Sequence, residues 1–383
     1  MARALYIHWP FCLKKCPYCD FNSHVRDTVD HTAWEAPMLR DMEHEAKFAG
    51  GEALESIFFG GGTPSLMPPA LVGSLLDHAE KLWGFAPGIE ITLEANPSSV
   101  EAANFADLTN AGVNRVSLGL QSLHDDALKF LGRLHSVEEG LAALDVAQRH
   151  FGRVSFDLIY ALPDQTEKAW AYDLERALSF GTDHLSLYQL TIEPNTRFAT
   201  DVRRGVFDPL DDDPAADLFE VTRQLTEDAG MPAYEVSNHA KPGQESRHNL
   251  TYWRYQDYCG IGPGAHGRRN NQATLRHKKP ENWLVSVNES GSGLREERAL
   301  TRSEQASEAL LMGLRLAEGI SLPDISTRFD LAFTDLVDED RLRMLNDLGF
   351  VWQSNERLGV TPRGMPVLDA LLGELVNAEL VMA

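Results

Sequence analysis

Cysteine, positive charge and long apolar runs are what this sequence has least of. Only 4 cysteines occur in 383 residues, and three of them crowd into one short stretch. A disulfide framework is excluded, because such a cluster leaves an odd thiol. Lys and Arg total 35 against 57 Asp and Glu, a formal net charge of −22. That balance argues against nucleic acid or an anionic membrane surface as a main partner. No uninterrupted apolar run approaches the ~20 residues a bilayer span requires. No charged-plus-apolar leader precedes the first strand-like run, and no fixed-period repeat or low-complexity segment occurs. The expectation is a cytoplasmic chain whose thiols stay reduced, long enough for one barrel-sized domain plus a smaller one.

What is present centres on Leu5 to Asn22, LYIHWPFCLKKCPYCDFN. Cys12, Cys16 and Cys19 stand there in C-x3-C-x2-C spacing, directly after an apolar run that reads as a buried strand. Three thiolates on one loop cannot close a tetrahedral zinc site without a fourth ligand, which His8 or His24 would have to supply. They suit a [4Fe–4S] cluster, normally held by one thiolate per iron, with one iron left open. Cys259 stands alone and reads as a small buried hydrophobe.

From Leu5 to Leu190, strand-like runs alternate with amphipathic helical stretches. The runs are ALYIHW, SIFF (Ser56 to Phe59), IEITL (Ile89 to Leu93), RVSLGL (Arg115 to Leu120), RVSFDLIY (Arg153 to Tyr160) and HLSLYQL (His184 to Leu190). Helical patterns include Leu71 to Leu82, Ala102 to Ala111, Val137 to His150 and Lys168 to Phe180. Such alternation predicts an α/β fold with a parallel sheet, here a partial (β/α)6 barrel. Each run ends in chemistry: the cysteines, Gly60-Gly61-Gly62-Thr63-Pro64, Glu94-Ala95-Asn96-Pro97, Gln121-Ser122, Asp157, then Gln189 and Thr191. The working site of a parallel barrel lies at the C-terminal ends of its strands, so these groups are expected to share one rim.

The cysteine spacing resembles the signature of the radical S-adenosylmethionine (SAM) superfamily. IHWPFCLKKCPYCDFNS, FGGGTPSLM, LEANPSS, RVSLGLQS and FDLIYALPDQT resemble its oxygen-independent coproporphyrinogen III oxidase group. HNLTYWRYQDYCGIGPGAHG is similar to the HemW branch of that group, the haem chaperones. The resemblance implies a radical SAM barrel with a [4Fe–4S] cluster on Cys12, Cys16 and Cys19. It implies SAM on the open iron, lined by Tyr6, Tyr18, Gly61, Gly62, Thr63, Glu94, Gln121, Arg133, Asp157, Thr191 and His266. In this likeness the glycine backbone meets the methionyl amino group, Glu94 and Asp157 the ribose, Arg133 the carboxylate, and Tyr18 the adenine. The HNxxYW run implies haem held by His248, Tyr252 and Trp253, with His248 as an axial ligand. Phe21 stands where the oxidase has a further cysteine, which argues for haem transfer to apo-haemoproteins over porphyrinogen decarboxylation. Implied partners are haem as cargo, an apo-haemoprotein acceptor, a flavodoxin-type reductase, and peripheral contact with membrane haemoproteins.

Arg268, Arg269, Arg276, His277, Lys278 and Lys279 form a dense basic cluster. It reads as a solvated loop face, or as a surface for propionates or an acidic reductase. Gly291-Ser292-Gly293 reads as a linker, giving a core over 1–230, a connection with the HNxxYW run over 231–290, and a C-terminal domain over 291–383. Thr301-x-x-Glu304 has the capping-box pattern. A helix from Asp335 to Leu348, the hairpin-like FVWQSNERLGVTP and a last helix from Arg363 follow. That order predicts a small α-rich, winged-helix-like domain. With 7 Arg, no Lys and 14 Asp and Glu from Thr301 onward, it carries the wrong sign for DNA and reads as a lid or docking domain.

Overall fold

A computed structural model of the chain describes residues 2–49, 51–354 and 356–376. Six parallel strands form the heart of it: β1 (Ala4–Trp9), β2 (Leu54–Gly61), β3 (Phe85–Ala95), β4 (Arg115–Gln121), β5 (Arg153–Tyr160) and β6 (His184–Gln189). They lie side by side in sequence order, joined by crossovers that include α1 (Thr32–Ala49), α2 (Pro69–Trp83), α3 (Val137–His150) and α4 (Glu167–Leu178). β4 is buried at every position, as a strand covered on both faces should be. α3 begins where Ser136 and Glu139 form a capping box, which satisfies two otherwise orphaned donors. The expected helix over Ala102 to Ala111 is instead two short pieces, Ser99–Ala102 and Phe105–Asn110.

The sheet extends past six strands at both edges. β7 (Asn238–Ala240) pairs antiparallel with β6, and β8 (Tyr258–Ile261) pairs parallel with β1. β9 (His266–Arg269), β10 (Gln272–Arg276) and β11 (Leu294–Ala299) follow antiparallel, for 11 strands in all. This corrects two expectations. Gly291-Ser292-Gly293 is no linker: Gly293 N donates to Asp41 Oδ1 at 3.0 Å, and β11 still belongs to the core sheet. The boundary therefore falls near Leu300, not Gly291. Nor are the three arginines of the basic cluster a solvated face, although Lys278 and Lys279 are exposed. Arg276 is fully buried, paired with Asp41 and Glu45 of α1 at 2.8 Å each. Arg269 reaches Glu45 at 2.7 Å, and the Arg268 guanidinium lies 3.5 Å above the Tyr255 ring. These cations are spent within the chain and cannot meet propionates.

The C-terminal domain packs its own apolar core, including Leu310, Ile325, Leu342 and Leu372. Its helices Arg302–Gly313, Leu322–Phe329, Glu339–Asp347 and Leu368–Leu375 surround a three-stranded sheet of Ile320–Ser321, Arg357–Val360 and Val351–Gln353. The helix expected from Asp335 to Leu348 breaks at Asp338, whose side chain caps Asp340 N and Arg341 N. No described helix is long and apolar enough to cross a membrane.

Candidate functional site

The cysteine loop leaves β1 and is closed by a two-residue parallel pairing of Phe11–Cys12 with His24–Val25. It is pinned to the far part of the chain by Asn22, whose Nδ2 donates to the carbonyls of Pro263 at 2.9 Å and Lys278 at 3.0 Å. From below, His8 Nε2 and the Asn22 carbonyl are 2.9 Å apart. Burial lowers the His8 pKa to about 4, so the ring is neutral. It donates through Nε2 and accepts the Tyr6 hydroxyl at Nδ1, 3.1 Å away. His24 Nε2 lies 3.3 Å from the Lys278 carbonyl. His8 is thus engaged at both ring nitrogens, and His24 at its Nε2. Among the described residues no group of three or more His, Cys, Asp or Glu is arranged to hold a single metal ion.

The glycine run after β2 clamps the same loop. Gly62 N donates to Trp9 O at 2.6 Å and Thr63 N to Phe11 O at 2.9 Å. Gly61 adopts φ +109°, where a side chain would also strike the His8 ring. Thr63 Oγ1 lies 3.5 Å from Cys12 Sγ. The result is one cavity of about 360 Å³, lined by Cys12, Cys16, Cys19, Tyr18, Gly61, Gly62, Thr63, Glu94, Gln121, Arg133, Asp157 and Thr191. Groups from six strand ends meet there. Gln121 is held at φ +70°, a conformation costly for a residue with a side chain.

Arg133 is the cation beside the sulfurs of the cavity, which Lys14 and Lys15 also line. Its guanidinium lies 3.5 Å from Cys16 Sγ, and it donates to Asn96 Oδ1 at 2.5 Å and Gly119 O at 2.9 Å. Burial works against that charge, and the nearness of Tyr18 and Cys16 more than offsets it. Asn96, which the sequence reading passed over, also donates to Thr63 Oγ1 at 3.2 Å and so couples the arginine to the glycine turn. Its only sequence signal was its place between a strand end and Pro97. Ser117, Tyr188 and Glu193 line the cavity as well and were likewise missed. Burial thins the hydration of the carboxylates. It pushes Glu94 up to about 8, with the Asp157 charge adding to it, and Asp157 up to about 6 against hydrogen bonds from Ser186 and Ser117.

A pH dependence follows. Folded Glu94 keeps its proton to about pH 8, whereas the unfolded side chain loses it near 4.5. The unfolded chain therefore binds fewer protons between those values, and stability falls as pH rises through the interval. Glu94→Gln is expected to flatten that fall, which amounts to ~1.4 kcal/mol per tenfold change in proton affinity. Urea unfolding of both proteins across the interval checks it, and parallel pH curves would refute it.

Five of the expected residues lie outside this cavity. Tyr6 packs beneath it, its ring 6.3 Å from those of Phe58 and His248. His266 begins β9 and is exposed. His248 belongs to α5 (Arg247–Trp253) and is 1 % exposed. Its Nδ1 is 3.0 Å from Ser56 Oγ, and its Nε2 is hydrogen-bonded to the Tyr252 hydroxyl. An axial ligand needs a free ring nitrogen facing open space; His248 has neither, so that expected role is corrected. Tyr252 is turned into the same aromatic cluster, 4.4 Å from the Tyr258 ring. Trp253 lines a separate cleft of about 230 Å³ between α5 and the C-terminal domain. Cys259 is fully buried in β8, as expected of a small hydrophobe.

The three thiols fit an iron–sulfur cluster with one open position. They share a cavity with an arginine beside a sulfur and with no spare histidine, and the remaining volume suits a nucleoside-sized ligand. The radical SAM superfamily model matches residues 6–177, and that of the HemN C-terminal domain matches residues 300–367. The chain is 38 % identical to the haem chaperone HemW of Escherichia coli over 98 % of both chains. It is also 38 % identical to the mitochondrial radical S-adenosyl methionine domain-containing protein 1 of Bos taurus, over 98 % of this chain and 87 % of that one. In fold it is similar to the coproporphyrinogen III oxidase HemN of Escherichia coli. The TM-score is 0.82 at 23 % identity, covering 97 % of this chain and 89 % of that one.

Proposed function

This chain belongs to the radical SAM family that contains the HemW haem chaperones, and from that premise we propose that it binds haem and passes it to apo-haemoproteins. The observation that carries the reading is the 38 % identity to HemW over nearly the whole of both chains. Membership implies a [4Fe–4S] cluster and SAM. When bound, the cluster supplies an electron to the SAM sulfonium.

The residues of this chain have separable tasks. Cys12, Cys16 and Cys19 would hold three irons, and Thr63 and Arg133 supply donors to the sulfurs of Cys12 and Cys16. Arg133 would pair with the SAM carboxylate, a bidentate task for which guanidinium is shaped. Protonated Glu94 and ionised Asp157 would meet the ribose hydroxyls. Phe21, 61 % exposed, stands at the cavity mouth and offers apolar surface where the oxidase carries a cysteine. A flavodoxin-type donor would deliver electrons, and membrane haemoproteins would be met peripherally.

Anaerobic reconstitution followed by haem titration and transfer to an apo-haemoprotein tests the proposal. Stoichiometric binding with transfer supports it. Conversion of coproporphyrinogen III to protoporphyrinogen, without haem binding, would replace it with the oxidase reading. His248→Ala enters the same titration with a definite expectation. Haem affinity and spectrum stay those of the wild type, while stability drops by about 2–4 kcal/mol through a lost buried ring and its hydrogen bonds. A weakened haem complex with unchanged unfolding would restore His248 as a ligand.

A further inference from the structure

At the end of the barrel opposite the cysteines, the interior closes on a layer with excess positive charge. β4 and β5 begin with Arg115 and Arg153, which are register partners across the parallel pair. Each lies an even number of residues before cavity-lining Ser117 and Asp157, so both face inward. Like charges on adjacent strand positions repel. Arg115 is only 3 % exposed, and the one hydrogen-bond partner of its side chain among the described residues is Thr92 Oγ1, at 3.3 Å. Arg153 is paired with Glu90 and donates to the carbonyls of Gln244 at 2.5 Å and Glu245 at 3.0 Å. Glu90 is fully committed, since it also accepts the Arg247 backbone N–H at 3.0 Å. Asp157, further up the barrel, accepts from Ser117 at 3.2 Å and faces the other cavity. Arg115 therefore lacks the partner that a buried charge ordinarily has.

The same layer holds an unused donor. His184 is 3 % exposed, its Nε2 lies 3.0 Å from the Tyr234 hydroxyl, and its Nδ1 is buried without a partner. Burial, then the charges of Arg115 and Arg153, hold its pKa well below the ordinary value. The ring is neutral, and because the Tyr234 hydroxyl accepts from Asn249 Nδ2 at 3.5 Å, its own proton is placed toward Nε2, which puts the ring proton on Nδ1. Arg115, Arg153 and His184 line one cavity of about 200 Å³, with the glycine turns at Gly152 and Gly181. The carboxylate on its wall, Asp183, is neutralised by Lys241 at 2.7 Å.

We propose that this cavity binds a small oxyanion of the phosphate class, held by Arg115, Arg153 and His184 Nδ1–H. Its size, about 200 Å³, lies below the range of about 300–1,000 Å³ typical of sites for larger ligands and suits a small anion. The anion would complete the charge balance of the barrel floor and stabilise the fold by mass action.

The test uses the full-length protein and inorganic phosphate, with chloride at matched ionic strength as the control. Calorimetry is expected to give saturable one-to-one binding of phosphate only, and thermal unfolding a Tm that rises and saturates with it. His184→Gln and Arg115→Gln should each weaken phosphate binding at least about tenfold and abolish the Tm rise, with the cluster content unchanged. Without phosphate, Arg115→Gln should melt at or above the wild type, because it removes a buried charge that has no counter-ion. A Tm rise that never saturates, or one shared by the wild type and both variants, is a general salt effect and overturns the proposal. So does Arg115→Gln melting lower in both buffers with the phosphate rise intact. Should Arg115→Gln not fold, the His184→Gln comparison decides.

Discussion

Cys16→Ala protein, purified and reconstituted without oxygen, should lose its iron and acid-labile sulfide by at least about tenfold, and with them any four-iron absorption. Cys12→Ala and Cys19→Ala should behave alike, because the loop supplies three thiols and no substitute. His8 and His24, the nearest candidates to step in, are held by backbone carbonyls. Cys259→Ala is the control. That thiol is fully buried against β1, where burial raises its pKa well above the ordinary thiol value, so its loss should leave iron content untouched. Iron and sulfide analysis of the four variants decides the matter. A cluster retained in any of the first three, or zinc bound in its place, would sink the assignment.

Gly62→Ala is expected to cost nearly as much by a different route. A Cβ at this position would stand 2.6 Å from Phe11 O and 2.8 Å from Pro10 C. Both obstacles are backbone, so neither can rotate away. The cost is about 1–3 kcal/mol of stability, toward the upper end, and it falls on the hydrogen bond from Gly62 N to Trp9 O that seats the cysteine loop. Cluster yield and SAM affinity should therefore fall together. Gly73→Ala serves as the comparison, since its Cβ would meet nothing closer than 3.7 Å. Denaturant unfolding with SAM titration checks both, and a Gly62→Ala protein with normal SAM affinity would show that the clamp is dispensable.

Local chemistry made much of the barrel legible. ALYIHW and RVSFDLIY coincide with β1 and β5, and Val137 to His150 with α3, because apolar runs and a capping box are written in neighbouring residues. The cavity was legible for the same reason, each contributor standing at the end of its own strand. What escaped depends on partners far off in sequence. Arg269 and Arg276 read as surface because the carboxylates that bury them lie 224 and 235 residues away. β8 is four residues long and runs into Gly-Pro-Gly, so it read as loop; its strand character comes from β1. His248 read as a ligand because an exposed and a hydrogen-bonded imidazole look alike in a sequence.

The anchoring of Asn22 by the Pro263 and Lys278 carbonyls also sets an order of events during synthesis. Cys12, Cys16 and Cys19 leave the ribosome more than two hundred codons before the two carbonyls that hold Asn22. A nascent chain that stops short of Pro263 carries all three thiols on a loop that Gly62 and Thr63 can clamp but that lacks its Asn22 anchor. The last anchor of the thiol loop is therefore set only once the chain has been made as far as Lys278.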